Sequence, residues 1–193
     1  MEPGKKEVII VGDNLDWPKV MYRATRINGG QPFIFARNCN IGMNYAMTRT
    51  EADGVIILGD DGEIMHPLGF TKLVETAKWH PEYGIIAAST NNGGNANQKW
   101  KTENELRDEP KSVAFICVYI PRATIDTVGY MDEDFTGYGY DDDDYCRRIL
   151  DAGLKIGVYD GCKINHYCLP SVFRTKGIDI EINKQIYEDK WNS

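Results

Sequence analysis

Short apolar segments bounded by turn residues alternate with amphipathic segments along the whole chain, which is the pattern of an α/β domain built on a mainly parallel sheet. Most of the apolar segments are too uniformly hydrophobic for one-sided burial, so they predict central strands. The predicted strands are Glu7–Val11, Pro32–Ala36, Gly54–Gly59, Gly84–Ser89, Ser112–Ile120 and Lys155–Tyr159. The predicted helices are Pro18–Ile27, Ile41–Arg49, Pro67–Trp79, Asp142–Ala152 and Ile178–Lys190.

The chain has 193 residues and no internal repeat, which predicts one domain over residues 1–193. This domain is either the whole protein or a catalytic piece of a longer polypeptide. One long polar segment, Thr90–Lys111, is rich in Asn, Gly and charge. Because connections of this length are uncommon in compact domains, we expect it to be functional or disordered.

Composition excludes several classes of protein. Hydrophobic residues make up 42% and charged residues 26%, which is a globular mixture. The net charge of −7 has the wrong sign for a nucleic-acid-binding surface, so no nucleic-acid partner is expected. The longest apolar run, Ser112–Ile120, is too short to span a membrane. The N-terminal residues do not resemble a signal peptide, and a cytoplasmic location is predicted.

Acidic and polar residues follow several of the predicted strands, where ligands bind in open α/β sheets. These segments are 11–14, 57–64 and 137–148, and His166 follows the last predicted strand. Carboxylate oxygens and an imidazole nitrogen could together hold a divalent cation, which would in turn bind phosphates.

Each acidic segment also has a purely structural interpretation. Asp60 and Asp61 precede a glycine in a sequence that favours a turn. The run Asp141–Asp144 could begin a helix, with ion pairs from Asp143 to Arg147 and from Asp144 to Arg148. Four adjacent carboxylates repel one another, however, and capping needs only one or two of them. The others are expected to bind a charged ligand or to have a raised pKa.

A zinc site is a further alternative. Cys162, His166 and Cys168 lie close together in the sequence, but no Cys-x-x-Cys motif and no clear fourth ligand accompany them. The number of cysteines, five, is odd and the sequence shows no secretion signal, so free thiols are expected rather than a disulfide framework.

The order of these segments resembles the inverting family-two glycosyltransferases of the GT-A fold. The resemblance rests on "ADGVIILGDDGEIMHPLGF" and on the later "VGYMDEDFTGYGYDDDDYCRRILDAG", and it extends over residues 38–166. In that family an apolar strand ends in a "DxD" motif, which corresponds here to Gly59, Asp60 and Asp61. The later segment matches a second acidic pattern in which apolar, glycine and acidic positions fall in step.

The resemblance implies a single GT-A domain that transfers a sugar from a nucleotide-diphosphate donor, most often a UDP-sugar, to a hydroxyl of a glycan or other acceptor with inversion. It implies that Asp61 binds Mn²⁺ or Mg²⁺. Asp60 would contact the ribose or the water shell of the metal, and His166 would make a further contact to the metal or the diphosphate. Such a cation neutralises the charge that develops on the leaving diphosphate.

The same resemblance assigns a general base. Asp142 aligns with the aspartate that removes the proton of the acceptor hydroxyl, and Asp141 takes the preceding position. A shift of one residue in the alignment would exchange their roles, so both are candidates.

The N-terminal third departs from the family pattern, because one of the usual first two strands has no clear counterpart. Asp13 and Asn14 are candidates for binding the nucleotide base. "ARNCNIGMNYA" resembles a family segment that approaches the nucleotide, so Arg37 and Asn38 are candidates for contacts to the diphosphate or the base.

Two other functions remain open at this point. A nucleotidyltransferase would also use an α/β sheet and metal-binding aspartates, although neither of the usual glycine-rich phosphate motifs occurs here. A catalytically inactive module of the same fold could bind a sugar or nucleotide through the same acidic residues.

Overall fold

The computed structural model describes residues 7–12, 24–101, 104–168 and 180–192. The helices are α1 (Phe35–Arg49), α2 (Gly69–Trp79), α3 (Arg122–Val128), α4 (Asp141–Asp151) and α5 (Ile180–Trp191). The strands are β1 (Val8–Gly12), β2 (Ala24–Asn28), β3 (Gly54–Leu58), β4 (Gly62–Ile64), β5 (Tyr83–Thr90), β6 (Leu106–Asp108), β7 (Cys117–Pro121) and β8 (Lys155–His166). None of the described helices is long and apolar enough to cross a membrane.

The fold is a mixed α/β domain with a central sheet flanked by helices, as predicted. The main sheet has the order β3-β7-β5-β8-β4, and β6 also pairs with β8. Parallel pairing is less common than expected: among the described strands only β5 with β8 and β1 with β2 are parallel. The difference arises because a uniformly apolar run indicates that both faces of a strand are buried, but it does not indicate whether the strand pairs in a parallel or an antiparallel direction.

Both faces of β5 and β7 are buried, which explains their uniform hydrophobicity. Ile85 and Ala87 face a core that includes side chains of α1, α3 and α4, whereas Ile86 and Ala88 face a second core formed with α2. All eight residues of β5 are buried. This strand therefore forms the middle of the domain.

The acidic helix α4 has its four aspartates in the first turn, where negative charge complements the helix dipole. It ends at Asp151, and Gly153 follows with a φ of +78°, a conformation that residues with a side chain rarely adopt. The amide of Leu154 then donates to the carbonyl of Ile149 at 3.1 Å, which closes the last turn. The predicted helix Asp142–Ala152 is confirmed to within one residue at each end.

Two predicted elements near the N-terminus are wrong. The segment Pro32–Ala36 is not a strand, because helix α1 already begins at Phe35 and buries Ala36 and Met43 on one face. A short apolar run cannot distinguish a strand from the first turn of a buried helix. Residues 24–27 of the predicted helix Pro18–Ile27 belong to strand β2, and the preceding residues 18–23 lie outside the described part of the chain.

The long polar segment is anchored by side chains in its described part. Gln98 is fully buried and exchanges two hydrogen bonds with the backbone of Ala114, at 2.8 and 2.9 Å. Arg107 makes a bidentate ion pair, at 2.5 and 3.0 Å, with Asp160, which is also fully buried. Because side chains of this segment bind the backbone near Ala114, strand β7 is shorter than the predicted Ser112–Ile120.

Candidate active site

The acidic segment after β3 forms a tight turn. The amide of Gly62 donates to the carbonyl of Gly59 at 3.1 Å, so Asp60 and Asp61 occupy the centre of the turn. Asp60 is exposed, whereas the side chain of Asp61 is 20% exposed. The amide of Tyr167 donates to the carbonyl of Asp61 at 2.9 Å. The turn therefore lies directly beside the end of β8.

Strand pairing brings His166 to Asp61. In the antiparallel pair of β4 and β8, His166 is opposite Gly62, the residue that follows Asp61. Its Nε2 atom lies 3.2 Å from Oδ1 of Asp61. On the other side of the ring, Nδ1 lies 3.1 Å from the carbonyl oxygen of Asn92 and 3.2 Å from Sγ of Cys168. Both ring nitrogens thus have partners that fix the orientation of the imidazole.

The donor set of this pair fits a divalent cation that is shared with a substrate. One carboxylate and one imidazole provide hard oxygen and borderline nitrogen ligands, and Asp61 and His166 are both partly accessible. Within the described ranges no three His, Cys, Asp or Glu side chains converge on a possible metal position. A cation here would therefore need oxygens from diphosphate and water, as Mg²⁺ often does. The zinc alternative is not supported, since Cys162 packs in the core with Cys117.

The second acidic group is the first turn of α4. Asp141 is buried and Asp142 is partly buried. The carboxylate of Asp142 accepts a hydrogen bond from the backbone amide of Asp143 at 3.0 Å. In the described part of the chain, neither Asp141 nor Asp142 takes part in an ion pair.

Burial and mutual repulsion change the acidity of these carboxyl groups. Burial raises the pKa of Asp142 to about 8, and the charges of Asp141 and Asp143 add to the increase. Burial also raises the pKa of Asp141 to about 6, although backbone hydrogen bonds oppose it. Carboxyl groups that titrate near neutral pH are suited to proton transfer, and such shifts concentrate at functional sites.

Asp144 has a different role from these two. It is fully buried, and its carboxylate lies 3.0 Å from Nε of Arg148 and 2.8 Å from Nζ of Lys190. The predicted pair with Arg148 is confirmed, whereas Arg147 pairs with Asp151 at 3.1 Å. The structure therefore divides the acidic run into a neutralised residue that holds helices together and a pair without cationic partners.

Two adjacent backbone positions connect the acidic turn with the acidic helix. The amide of Gly59, at the start of the turn, donates to the carbonyl of Ile116 at 2.9 Å. The backbone of the preceding residue, Phe115, lies close enough to Asp142 to lower the pKa of its carboxyl group. Residues 115 and 116 thus lie between the two acidic groups. Sequence reasoning did not single out this connection, because backbone contacts leave no residue-type signal.

Arg37 and Asn38 lie in the first turn of helix α1, beside the two glycines that follow β2. Asn38 is 7% exposed, and neither polar atom of its amide has a hydrogen-bond partner among the described residues. Its side chain packs against Gly29, where any side chain would collide with it. Arg37 donates from Nη2 to the carbonyl of Pro32, while its Nε has no partner in the part of the chain that the structure describes.

The second N-terminal strand, for which the sequence showed no clear counterpart, lies in this region. Strand β2 runs parallel to β1, with Gly12 opposite Asn28. Asp13 and Asn14 come directly after β1 and lie outside the described residues.

Comparison with known proteins agrees with this fold. The chain is similar to a crystal structure of GalNAc-T7 with UDP, GalNAc and Mn²⁺, at 12% identity and a TM-score of 0.64, over 83% of this chain and 37% of that one. It is also similar to the crystal structure of A197 from STIV, at 12% identity and a TM-score of 0.55, over 84% of this chain and 86% of that one. The chain thus spans little more than a third of the GalNAc-T7 chain. Similarity at this identity shows the fold alone.

Residues 111–170 match the family described as the N-terminal domain of galactosyltransferase. No curated protein sequence matches the chain. The matched segment contains α4 and His166 and is less than half of the chain. Inversion and membership of family two remain predictions.

Proposed function

We propose that this protein is a metal-dependent glycosyltransferase that moves a sugar from a nucleotide-diphosphate donor, a UDP-sugar in the first instance, to an acceptor hydroxyl with inversion. The observation that carries the proposal is the contact of 3.2 Å between Asp61 and His166. This contact brings an acidic turn and a histidine together at one position on the sheet, and the backbone of residues 115–116 lies between that position and Asp142.

In this proposal Asp61 and His166 hold Mn²⁺ or Mg²⁺, which neutralises negative charge on the departing diphosphate. Asp60 is exposed beside them and contacts the ribose or the water shell. The presence of UDP and Mn²⁺ in the GalNAc-T7 crystal supports this choice of donor and metal.

The nucleotide would extend toward the start of α1. The amide of Asn38 offers both a donor and an acceptor that lack partners among the described residues, and buried amides of this kind are costly unless a ligand or water binds them. Arg37 supplies a positive charge for the diphosphate. Asp13 and Asn14, which follow β1, complete the proposed set of base and diphosphate contacts.

Asp142 acts as the general base. Its raised pKa makes it a stronger proton acceptor than an ordinary carboxylate once it is deprotonated. It removes the proton of the acceptor hydroxyl as the oxygen attacks the anomeric carbon from the face opposite the diphosphate. Asp141, one residue earlier, strengthens this basicity through its charge and is the alternative base.

The stereochemistry of the product tests this proposal. The protein should be incubated with a UDP-α-sugar, Mn²⁺ and a panel of simple glycoside acceptors, and the anomeric configuration of the product should be followed by NMR. A β-linked product that forms only in the presence of metal is expected. An α-linked product would exclude inversion, and the absence of transfer with every donor and acceptor would count against the proposed function.

A further inference from the structure

The loop that leads into α4 is held by helix α5, which comes from the end of the chain. Asn183 in α5 is fully buried. Its Oδ1 accepts a hydrogen bond from the amide of Gly137 at 2.8 Å, and its Nδ2 donates to the carbonyl of Gly139 at 2.6 Å. A single side chain therefore satisfies two backbone groups of the loop.

The conformation that these bonds hold is unusual. Tyr140, the residue before α4, has a φ of 66°, in the left-handed region that a tyrosine rarely adopts. Such a backbone persists only where its surroundings enforce it. Its ring packs against Tyr187 of α5, with ring centroids 5.5 Å apart, and its carbonyl accepts the amide of Asp144 at 2.8 Å.

A second group of contacts fixes the first turn of α4 to the same helix. Lys190 lies 2.8 Å from Asp144 and 2.6 Å from Asp132, and the indole of Trp191 donates to Asp144 at 3.0 Å. Helix α5 thus binds the loop backbone before Asp141 and Asp142 and the side chain of Asp144 after them, whereas these two carboxyl groups have no ion pair among the described residues.

We propose that Asn183 is a positioning residue, which fixes the backbone from which Asp141 and Asp142 are presented to the acceptor. This inference rests on the proposed function. Because Tyr140 directly precedes the pair, its left-handed backbone sets the direction of both carboxylates. Without the two bonds from Asn183, the loop relaxes toward ordinary backbone angles and the base moves away from the acceptor. Donor binding at Asp61 and Asn38 involves other elements and is preserved.

The test compares Asn183→Ala with the milder Asn183→Ser, whose hydroxyl cannot reach both backbone groups. Gln185→Ala is the matched control, because Gln185 is exposed on the same helix and, among the described residues, its side chain donates a hydrogen bond to Asp189 alone. We expect Asn183→Ala to lower kcat by up to about 100-fold, the effect of a displacement of roughly 1 Å, with the donor KM within about twofold of the wild type. The kcat of Asn183→Ser should lie between those of Asn183→Ala and the wild type, and the kcat of Gln185→Ala should equal that of the wild type.

An unchanged kcat in Asn183→Ala would overturn the inference, as would equal losses of kcat and donor affinity, which would indicate a general loss of structure. If Asn183→Ala does not fold, the same criteria apply to Asn183→Ser.

Hydrogen exchange separates this inference from the proposed function. If the wild type transfers no sugar, the proposed function fails, and the role of Asn183 is judged from the amide of Gly137. Faster exchange of this amide in Asn183→Ala, with exchange in α2 unchanged, supports the role of Asn183 in holding the loop. Unchanged exchange of the Gly137 amide overturns that role.

Discussion

Oδ1 of Asp61 lies 3.2 Å from Nε2 of His166, where the turn after β3 meets the last residue of β8. The pairing of β4 with β8 sets this distance, since it places His166 opposite the residue that follows Asp61. The two residues are far apart in the sequence, and no short metal-binding motif contains both of them. Their contact gives the proposed metal position its two protein ligands.

Removing either ligand should abolish metal-dependent nucleotide binding. We expect Asp61→Ala and His166→Ala to weaken the binding of UDP in the presence of Mn²⁺ by at least about tenfold, because metal ligands and their supporting groups typically contribute 10-fold to 100-fold to affinity. Titration calorimetry with Mn²⁺ and with EDTA measures this. Asp126→Ala, which removes an exposed carboxylate on α3, is the control and should bind normally. Equal affinities with and without Mn²⁺ in the wild type would refute the metal assignment.

Asp142→Asn should separate catalysis from binding. The amide keeps the shape of the side chain but cannot accept the acceptor proton, so transfer should fall by roughly 100-fold to 10,000-fold. Donor affinity should stay close to that of the wild type, since Asp142 lies on the acceptor side in this account. Asp141→Asn should have the smaller effect. A larger loss in Asp141→Asn would reverse the two roles.

The pH dependence of transfer tests whether the acidic pair supplies the base. A general base works only when deprotonated, and burial together with mutual repulsion raises the pKa of both Asp141 and Asp142. We therefore expect kcat/KM to increase with pH through neutrality and to level off once the pair has lost its protons. Initial rates between pH 5 and pH 9 at constant ionic strength measure this, and a rate that is constant over this range would contradict a base with a raised pKa.

Asp144 should contribute to stability, because its buried carboxylate is neutralised by Arg148 and Lys190. Asp144→Asn should lower the free energy of unfolding by about 3 kcal/mol, the lower end for a broken buried pair, since both partners are partly exposed. Asp143→Asn is the matched control, with an expected change within about 0.5 kcal/mol. Urea unfolding measures both. Equal effects would mean that Asp144 is not the structural member of the run.

The sequence predicted the elements that carry long, regular patterns. The apolar run at β5 and the helical spacing of α2 and α4 give strong signals because burial on a face repeats over many residues. Direction of pairing was less predictable: β7 is antiparallel to both of its neighbours, and nothing in its side chains encodes that. Strand β2 was assigned to a helix because its five residues are too few to show a period.

The candidate site divides in the same way. Residue type and order identified Asp61, His166 and the acidic run, because carboxylates after apolar strands stand out in a sequence. The sequence indicated the pair of Asp144 with Arg148, but it could not indicate the further contacts of Asp144 with Lys190 and Trp191, which come from α5. The buried amide of Asn183 gave no signal, because its partners are backbone groups.

The most direct test of the central claim is the release of nucleoside diphosphate. Purified protein is incubated with a panel of nucleotide sugars, with Mn²⁺ or with EDTA, beside Asp61→Ala. The account predicts release from one class of donor that requires both Mn²⁺ and Asp61. Release that persists in EDTA or in Asp61→Ala would contradict it, as would the absence of release together with no nucleotide-dependent thermal shift.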